Sequence, residues 1–156
     1  MSPLLLFTDG SVNIKMNIGY GAYLMVENKD DVSALVKVKQ FEDTSSTKLE
    51  LQTLLWALEE VKGLGREMII YTDSQNIIGL PKRRERFEKN DFLTTKKTLI
   101  AHHLLYKAFY KMMDELECSL IKVKGHKLSS DKDEIDHLFT LVDRASREAL
   151  RKSLYM

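Results

Sequence analysis

Cysteine is almost absent from this sequence, since Cys118 is the only one among 156 residues. An intramolecular disulfide is therefore impossible, and zinc sites built from several thiolates are excluded. Such a chain is typical of a reducing compartment, so we expect a cytoplasmic protein. The fold must depend on its apolar core, and 44% hydrophobic residues at this length are enough for one domain over residues 1–156.

Long apolar runs are missing as well. No segment approaches the roughly 20 apolar residues that span a bilayer. The first residues, Met1 to Leu6, carry no basic side chain and are soon followed by Asp9, which does not fit an export signal. We therefore expect a soluble protein that is not exported and has no membrane partner.

A net charge of only +1 conceals an uneven distribution of charge. Residues 82–111, called the basic segment below, hold nine Lys or Arg and three acids, so the rest of the chain is acidic. A basic segment on an acidic domain favours a polyanionic partner, although a solvated helix face would have the same composition.

Short apolar or alternating runs in the first third of the chain predict three strands: Leu4–Thr8, Gly19–Val26 and Ser33–Lys39. The polar connection Glu27–Asp31 has the length of a hairpin loop, so the second and third strands should be antiparallel.

A helical period begins at Thr47, and Thr47 and Glu50 have the spacing of a capping box. The predicted elements that follow are a strand at Met68–Thr72, a helix after Ser74, a helix at Thr95–Glu117, a strand at Leu120–Lys124 and a helix at Glu134–Lys152. The apolar stripes of the last two helices are Leu99, His102, Tyr106, Phe109 and Met113, and Leu138, Leu141, Val142, Ala145 and Ala149. This order predicts an α/β domain with a five-stranded mixed sheet, in which three antiparallel strands lead into βαβ crossovers flanked by helices.

Two acids occupy matching positions, because Asp9 and Asp73 each follow an apolar strand directly. If these strands are neighbours, the two carboxylates meet at the strands' carboxyl ends, where ligands bind in α/β sheets. Either residue alone could simply cap a turn or a helix. The repetition of the pattern favours a site.

Glu50 and Asp143 are weaker candidates when taken alone. Glu50 could serve solely as a cap of its helix, or it could in addition point at the strand ends. Asp143 could serve solely as the ion-pair partner of Arg147 at i+4. Four carboxylates in one place persist only with bound cations or raised pKa values. Oxygen ligands suit Mg²⁺ or Mn²⁺, and two such ions about 3.5–4 Å apart catalyse phosphodiester hydrolysis.

A histidine, His126, lies between a predicted strand and a loop. A loop histidine more often has no catalytic role, but near a metal pair it could move the proton of the attacking water or help to release product.

Six sequence blocks resemble the type 1 (bacterial HI-like) ribonuclease H family, in the family's order and over nearly the whole chain. They are Phe7–Ser11, Gly19–Ala22, Leu49–Leu51 with Ala57–Glu59, Tyr71–Gln75, Val123–His126 and Asp143–Ser146. The resemblance implies a ribonuclease H-like fold. It also implies endonucleolytic hydrolysis of the RNA strand of RNA–DNA hybrids, leaving 5′-phosphate and 3′-hydroxyl ends.

The resemblance also implies the roles of individual residues. The four metal-binding carboxylates would be Asp9, Glu50, Asp73 and Asp143, holding two Mg²⁺ ions for which Mn²⁺ can substitute, and His126 would assist turnover. Contacts with the hybrid are expected from Gly10, Ser11, Ser46 and Gln75 in the minor groove or on the backbone, and from Lys82, Arg83, Arg84 and Arg86 on phosphates. We expect a monomer with weak sequence preference.

The chain departs from the family pattern in several places. Val12–Ile18 replaces the familiar Gly-Asn-Pro-Gly turn, and Ser46 and Thr47 stand where two asparagines are common. The basic segment has no tryptophan, and the segment 127–142 is longer than the corresponding segment of common bacterial members. Two alternatives stay open. A DNA-cleaving two-metal nuclease such as a resolvase or integrase is disfavoured by the Val123–His126 block, and a nuclease-dead hybrid-binding protein would be favoured by loss of a carboxylate, whereas all four are present.

Overall fold

A five-stranded sheet forms the centre of the computed structural model, which describes residues 2–28, 35–124, 127–128, 130 and 132–155. The strands are β1 Leu4–Asn13, β2 Ile18–Val26, β3 Lys37–Glu42, β4 Met68–Thr72 and β5 Cys118–Lys122. The helices are α1 Ser46–Val61, α2 Gln75–Lys89, α3 His103–Glu115 and α4 Glu134–Ser153, and a short 3-10 turn at Lys62–Leu64 follows α1.

The strand order in the sheet is β3-β2-β1-β4-β5. β1, β2 and β3 are antiparallel neighbours, whereas β4 runs parallel to both β1 and β5. This arrangement confirms the prediction of a mixed sheet in which three antiparallel strands precede the crossovers.

Each face of the sheet is covered by its own apolar cluster. Side chains of successive β1 residues point to opposite faces, so Leu6 packs with Leu54 of α1 and Phe109 of α3, while Phe7 packs with Val142 of α4. The helices α1, α2 and α3 therefore share one face, and α4 covers the other. None of the helices in the described part of the chain has both the length and the apolarity needed to cross a bilayer.

The strand β1 is longer than its apolar run suggests. It pairs with β2 from Leu5 to Asn13, whereas its pairing with β4 ends where Phe7 lies opposite Tyr71. The prediction that Asp9 ends a strand is therefore wrong, because pairing with β2 continues the strand through it. Asp9 nevertheless lies just beyond the last parallel pair, at the edge where Asp73 follows β4.

The helix α1 lies very close to β2 at Gly21. A Cβ atom at this position would lie 2.1 Å from Oγ1 and 2.9 Å from Cβ of Thr53, a residue that is fully buried in α1. Only glycine allows this approach without movement of the helix, which also carries Glu50.

The third helix is shorter than predicted. α3 begins at His103 rather than at Thr95, because His102 has a φ of 63°, a left-handed conformation that cannot continue a helix. Leu99 forms an isolated bridge with Leu93 and is 53% exposed, so it does not belong to the helical stripe.

Other boundaries differ less. The basic segment begins inside α2, which runs through Pro81, and β5 starts at Cys118 rather than Leu120. β3 extends to Glu42, while its predicted start at Ser33 lies outside the described residues. In α4, Leu141 is 44% exposed, and Phe139 is buried in the core instead.

Candidate active site

Four elements each supply one carboxylate to the same end of the sheet. Asp9 lies within β1, Asp73 directly follows β4, Glu50 lies in the second turn of α1 and Asp143 lies in the middle of α4. Pairing of β1 with β4 sets Asp9 beside Asp73, and packing of α4 on β1 brings Asp143 to them.

The electrostatics of Asp9 show that three of these groups converge. Burial, and after it the negative charge of Asp73, raise the pKa of Asp9 to about 8. A hydrogen bond with the carboxyl of Asp143 acts in the same direction, while the backbone N–H of Gly10 opposes it. The Asp9 carboxyl is therefore readily protonated when no cation is present.

Glu50 is held by a hydrogen bond from Ser74, the residue that follows Asp73. The Ser74 hydroxyl donates to Oε2 of Glu50 at 2.6 Å, and its oxygen accepts from the Ile77 N–H at 3.2 Å, which caps α2. Burial raises the pKa of Glu50, the hydrogen bond from Ser74 lowers it, and the charge of Asp73 raises it. The predicted capping box is wrong, because Ser45 precedes α1 and makes no side-chain cap, and Glu50 is turned towards Ser74.

Asp143 interacts with both Arg147 and Asp9. Its Oδ1 accepts from Nε of Arg147 at 2.9 Å, the i+4 pair expected from the sequence, and its carboxyl also bonds to Asp9. A hydrogen bond of 3.0 Å between the hydroxyls of Ser11 and Ser146 holds α4 against β1 one turn further along.

The side chains of these carboxylates do not form a complete metal-binding site. Within the described residues, no three His, Cys, Asp or Glu side chains are grouped closely enough to hold an ion. Two of the carboxylates are hydrogen-bonded within the protein, Glu50 to Ser74 and Asp143 to Arg147. The donor set nevertheless suits a hard divalent cation, because all the donors are oxygens and burial opposes the ionisation of Asp9 unless a positive charge compensates it.

A small cavity of about 60 Å³ opens beside Asp73 and Asp143. Four basic side chains contribute to its lining: Lys124, Lys127, Lys132 and Arg147. Lys127 binds Asp136 at 2.9 Å, and Lys132 donates to the Thr140 hydroxyl at 3.0 Å, so both lysine side chains are bonded to α4. Asp73, Asp136 and Asp143 also line this cavity, so its four cations leave an excess of one positive charge.

Of the residues expected to contact nucleic acid, Gly10, Ser11, Ser46 and Gln75 surround the carboxylates. Gly10 and Ser11 follow Asp9 in β1, Ser46 is exposed at the start of α1, and Gln75 is exposed at the start of α2. The structure thus places these four near the carboxylates, and their contact with a hybrid stays a prediction.

The basic residues of α2 fall into two classes. Lys82 and Arg86 are exposed and line an open groove of about 390 Å³. Arg83 instead donates to the backbone oxygen and to Oδ1 of Asn76, at 2.6 and 2.8 Å. Arg84 donates through both terminal nitrogens to Asp114, at 2.6 and 2.7 Å.

His126 lies outside the described residues, as does Gly125 before it. Its expected part in turnover stays a prediction.

Two residues of this site were not identified from the sequence. Ser74 orients Glu50, and its place directly before a helix was a signal that could have marked it as a cap. Lys122 donates from Nζ to Oε1 of Gln75 at 2.6 Å. No local pattern could reveal this contact, because the two residues lie 47 positions apart in the chain.

Comparison with known proteins agrees with this geometry. The family model described as RNase H matches residues 1–143, and so includes all four carboxylates. The chain belongs to the RNase H family. It is therefore a hydrolytic endoribonuclease that acts on RNA–DNA hybrids.

Individual relatives support the same membership. The chain is 28% identical over 130 residues to a ribonuclease H of Syntrophomonas wolfei, covering 81% of this chain and 86% of the relative. A ribonuclease H of Caldanaerobacter subterraneus is 26% identical over 155 residues, covering 96% and 92%. The solution structure of the PFV RNase H domain superposes with a TM-score of 0.76 at 16% identity over 93% of this chain and 92% of that one, which confirms the fold.

Proposed function

We propose that this RNase H cleaves the RNA strand with two Mg²⁺ ions, which Mn²⁺ can replace, held by Asp9, Glu50, Asp73 and Asp143. The observation that carries the proposal is the convergence of acids from β1, β4, α1 and α4 at one end of the sheet, where burial, Asp73 and Asp143 together raise the pKa of Asp9. A group of acids brought together from four different elements is unfavourable for the metal-free protein, and divalent cations remove that cost. When bound, the ions would activate a water molecule and stabilise the leaving oxygen.

The protein's own residues orient these ligands. Ser74 fixes Glu50 by its hydrogen bond, and α2 in turn depends on Ser74 for its cap. Arg147 places a positive charge beside the carboxylate of Asp143 and fixes the direction in which that carboxylate points. Asp9 accepts the backbone N–H of Gly10, so β1 holds it in place.

Recognition of the hybrid follows from the surroundings of the carboxylates. The hydroxyls of Ser11 and Ser46 and the amide of Gln75 provide groups that can bond to 2′-hydroxyls and base edges in a wide minor groove. The basic cavity beside Asp143 and the exposed cations of α2 supply charge for phosphates. We further propose that the enzyme is a cytoplasmic monomer that leaves 5′-phosphate and 3′-hydroxyl ends.

The assignment of the ligands is tested with Asp9→Asn and Asp73→Asn. Each variant removes a metal ligand and few phosphate contacts, so cleavage of a labelled hybrid in Mg²⁺ should be abolished while hybrid binding in Ca²⁺ survives. Glu59→Gln is the matched control, because Glu59 is exposed in α1 and pairs with Lys62 away from the site. Retention of more than about a tenth of the wild-type rate by either Asn variant would refute the assignment.

A further inference from the structure

The contact between Lys122 and Gln75 determines which atoms of Gln75 are offered to a bound nucleic acid. Lysine carries only N–H donors, so the atom that faces Nζ at 2.6 Å must be the carbonyl oxygen Oε1 of the amide. The amide nitrogen Nε2 then lies on the other side of the same carbon. The Gln75 oxygen is held at Lys122 in this way, so the free edge of the exposed amide presents its N–H donors.

The position of Lys122 makes this contact part of the site. In the parallel pairing of β4 with β5, Lys122 lies opposite Thr72, the residue before Asp73. Gln75 follows Asp73 by two residues and begins α2. Both side chains are exposed, so the pair lies at the surface beside the carboxylates and not in the core.

The orientation of the Gln75 amide matters because the base pairs present both acceptors and a donor in the minor groove. Every base pair presents the acceptors N3 or O2 there, and only guanine adds a donor, its 2-amino group. A fixed N–H donor can therefore bond to any base pair, but it opposes the 2-amino group of guanine. A glutamine free to rotate would turn its oxygen towards that group instead.

We propose that Lys122 is a positioning residue that holds the amide of Gln75 as a donor and so makes the enzyme discriminate against guanine at the base pair that Gln75 reaches. This inference rests on the proposed function, since it requires Gln75 to lie in the minor groove of a bound hybrid. It adds a determinant of base preference to an enzyme for which we otherwise expect weak sequence preference.

The test compares hybrids that differ only by the 2-amino group. Guanine in one strand is replaced, one position at a time, by inosine, which lacks this group, and kcat/KM is measured for each hybrid. For the wild-type enzyme we expect one position at which inosine is cleaved about fivefold faster or more, the lower end of the effect of an opposed buried polar group. In Lys122→Met the ratio at that position should fall below about twofold, because the amide can then rotate.

Two further variants separate orientation from charge. Lys122→Arg retains both the charge and a donor, so it should restore the inosine-to-guanine ratio. Lys124→Met removes a neighbouring positive charge that does not contact Gln75, so it should keep the wild-type ratio even if the KM rises. Because inosine weakens base pairing equally for every enzyme, the change in ratio between variants separates that effect from recognition by Gln75.

The outcomes are distinguishable. If Lys122→Met raises KM for both hybrids by the same factor and leaves the ratio unchanged, Lys122 is a phosphate contact and the inference is wrong. A wild-type ratio near one at every position would also overturn it while leaving the proposed function intact. If wild-type protein cleaves no hybrid, the proposed function fails and this inference fails with it.

Discussion

The four basic residues of α2 allow a matched test of which cations hold the hybrid. Lys82 and Arg86 are exposed along an open groove, whereas Arg83 and Arg84 are half-buried and bonded within the protein. A double variant of each pair, Lys82→Ala with Arg86→Ala and Arg83→Ala with Arg84→Ala, removes the same charge from the same helix. The two double variants therefore differ in the availability of the cations and not in their number.

The expected magnitudes follow from the partners of each side chain. Removing one cation that binds a phosphate should flatten the slope of log K against log[salt] by about 0.7–0.9, so removing Lys82 and Arg86 together should flatten it by about 1.4–1.8. Removing Arg83 and Arg84 should leave the slope within about 0.3 of wild type, because they already bind Asn76 and Asp114. That variant should instead unfold at a lower urea concentration than wild type, because it loses the bonds to Asn76 and Asp114.

The assay is fluorescence anisotropy of a labelled hybrid at several KCl concentrations, in Ca²⁺ so that cleavage is suppressed. Urea unfolding of the same preparations measures the stability. If both double variants flatten the slope equally, Arg83 and Arg84 exchange their internal partners for phosphates and the division into two classes is wrong. If neither changes the slope, this face of α2 is a solvated surface.

Four further expectations concern single residues. Gly21→Ala should lower the unfolding free energy by about 1–3 kcal/mol, because the added Cβ meets Thr53. Adding Thr53→Ala should recover part of that loss, and strictly additive effects of the two substitutions in urea unfolding would contradict the close approach. Asp9→Asn should raise the Tm of the metal-free protein in EDTA, and more so at pH 8 than at pH 5. Because the folded pKa of Asp9 lies at about 8, above its unfolded value, wild-type stability falls as the pH rises through this window, and an equal gain at both pH values would contradict this. Burial raises the pKa of Cys118 to about 11, so its alkylation by iodoacetamide at pH 8 should be roughly a hundredfold slower in the folded than in the urea-unfolded protein, and equal rates would show an accessible thiolate. His126→Ala should slow turnover by about 10–1000-fold without preventing metal binding, and an unchanged rate across about pH 6–9 would show that the histidine takes no part.

The elements could be predicted from sequence wherever one periodicity dominated. The apolar run before Asp73 predicted a strand and the helical stripe around Leu54 predicted a helix, and the structure has them as β4 and α1. Prediction was wrong where backbone conformation decided the outcome. Leu99 has the right spacing for the stripe of α3, but the left-handed conformation of His102 separates it from that helix.

The site was predictable as a set of residue types but not as a geometry. Matching positions after two strands singled out Asp9 and Asp73, because neighbouring strands bring their ends together. The partners that turn each side chain were not predictable, since Ser74 and Glu50 lie 24 positions apart and belong to different helices. For the same reason the hydrogen bonds from Arg84 to Asp114 were not predictable, since the two residues lie 30 positions apart.

The most direct test of the central claim is cleavage of end-labelled duplexes by the wild-type protein. RNA–DNA, RNA–RNA and DNA–DNA duplexes of one sequence are incubated in Mg²⁺ or in EDTA, and the products are separated on a denaturing gel. We predict cuts only in the RNA strand of the hybrid, only with Mg²⁺, and with 5′-phosphate and 3′-hydroxyl ends. Cleavage in EDTA, cleavage of the DNA duplex, or binding of the hybrid without cleavage in Mg²⁺ would contradict the account.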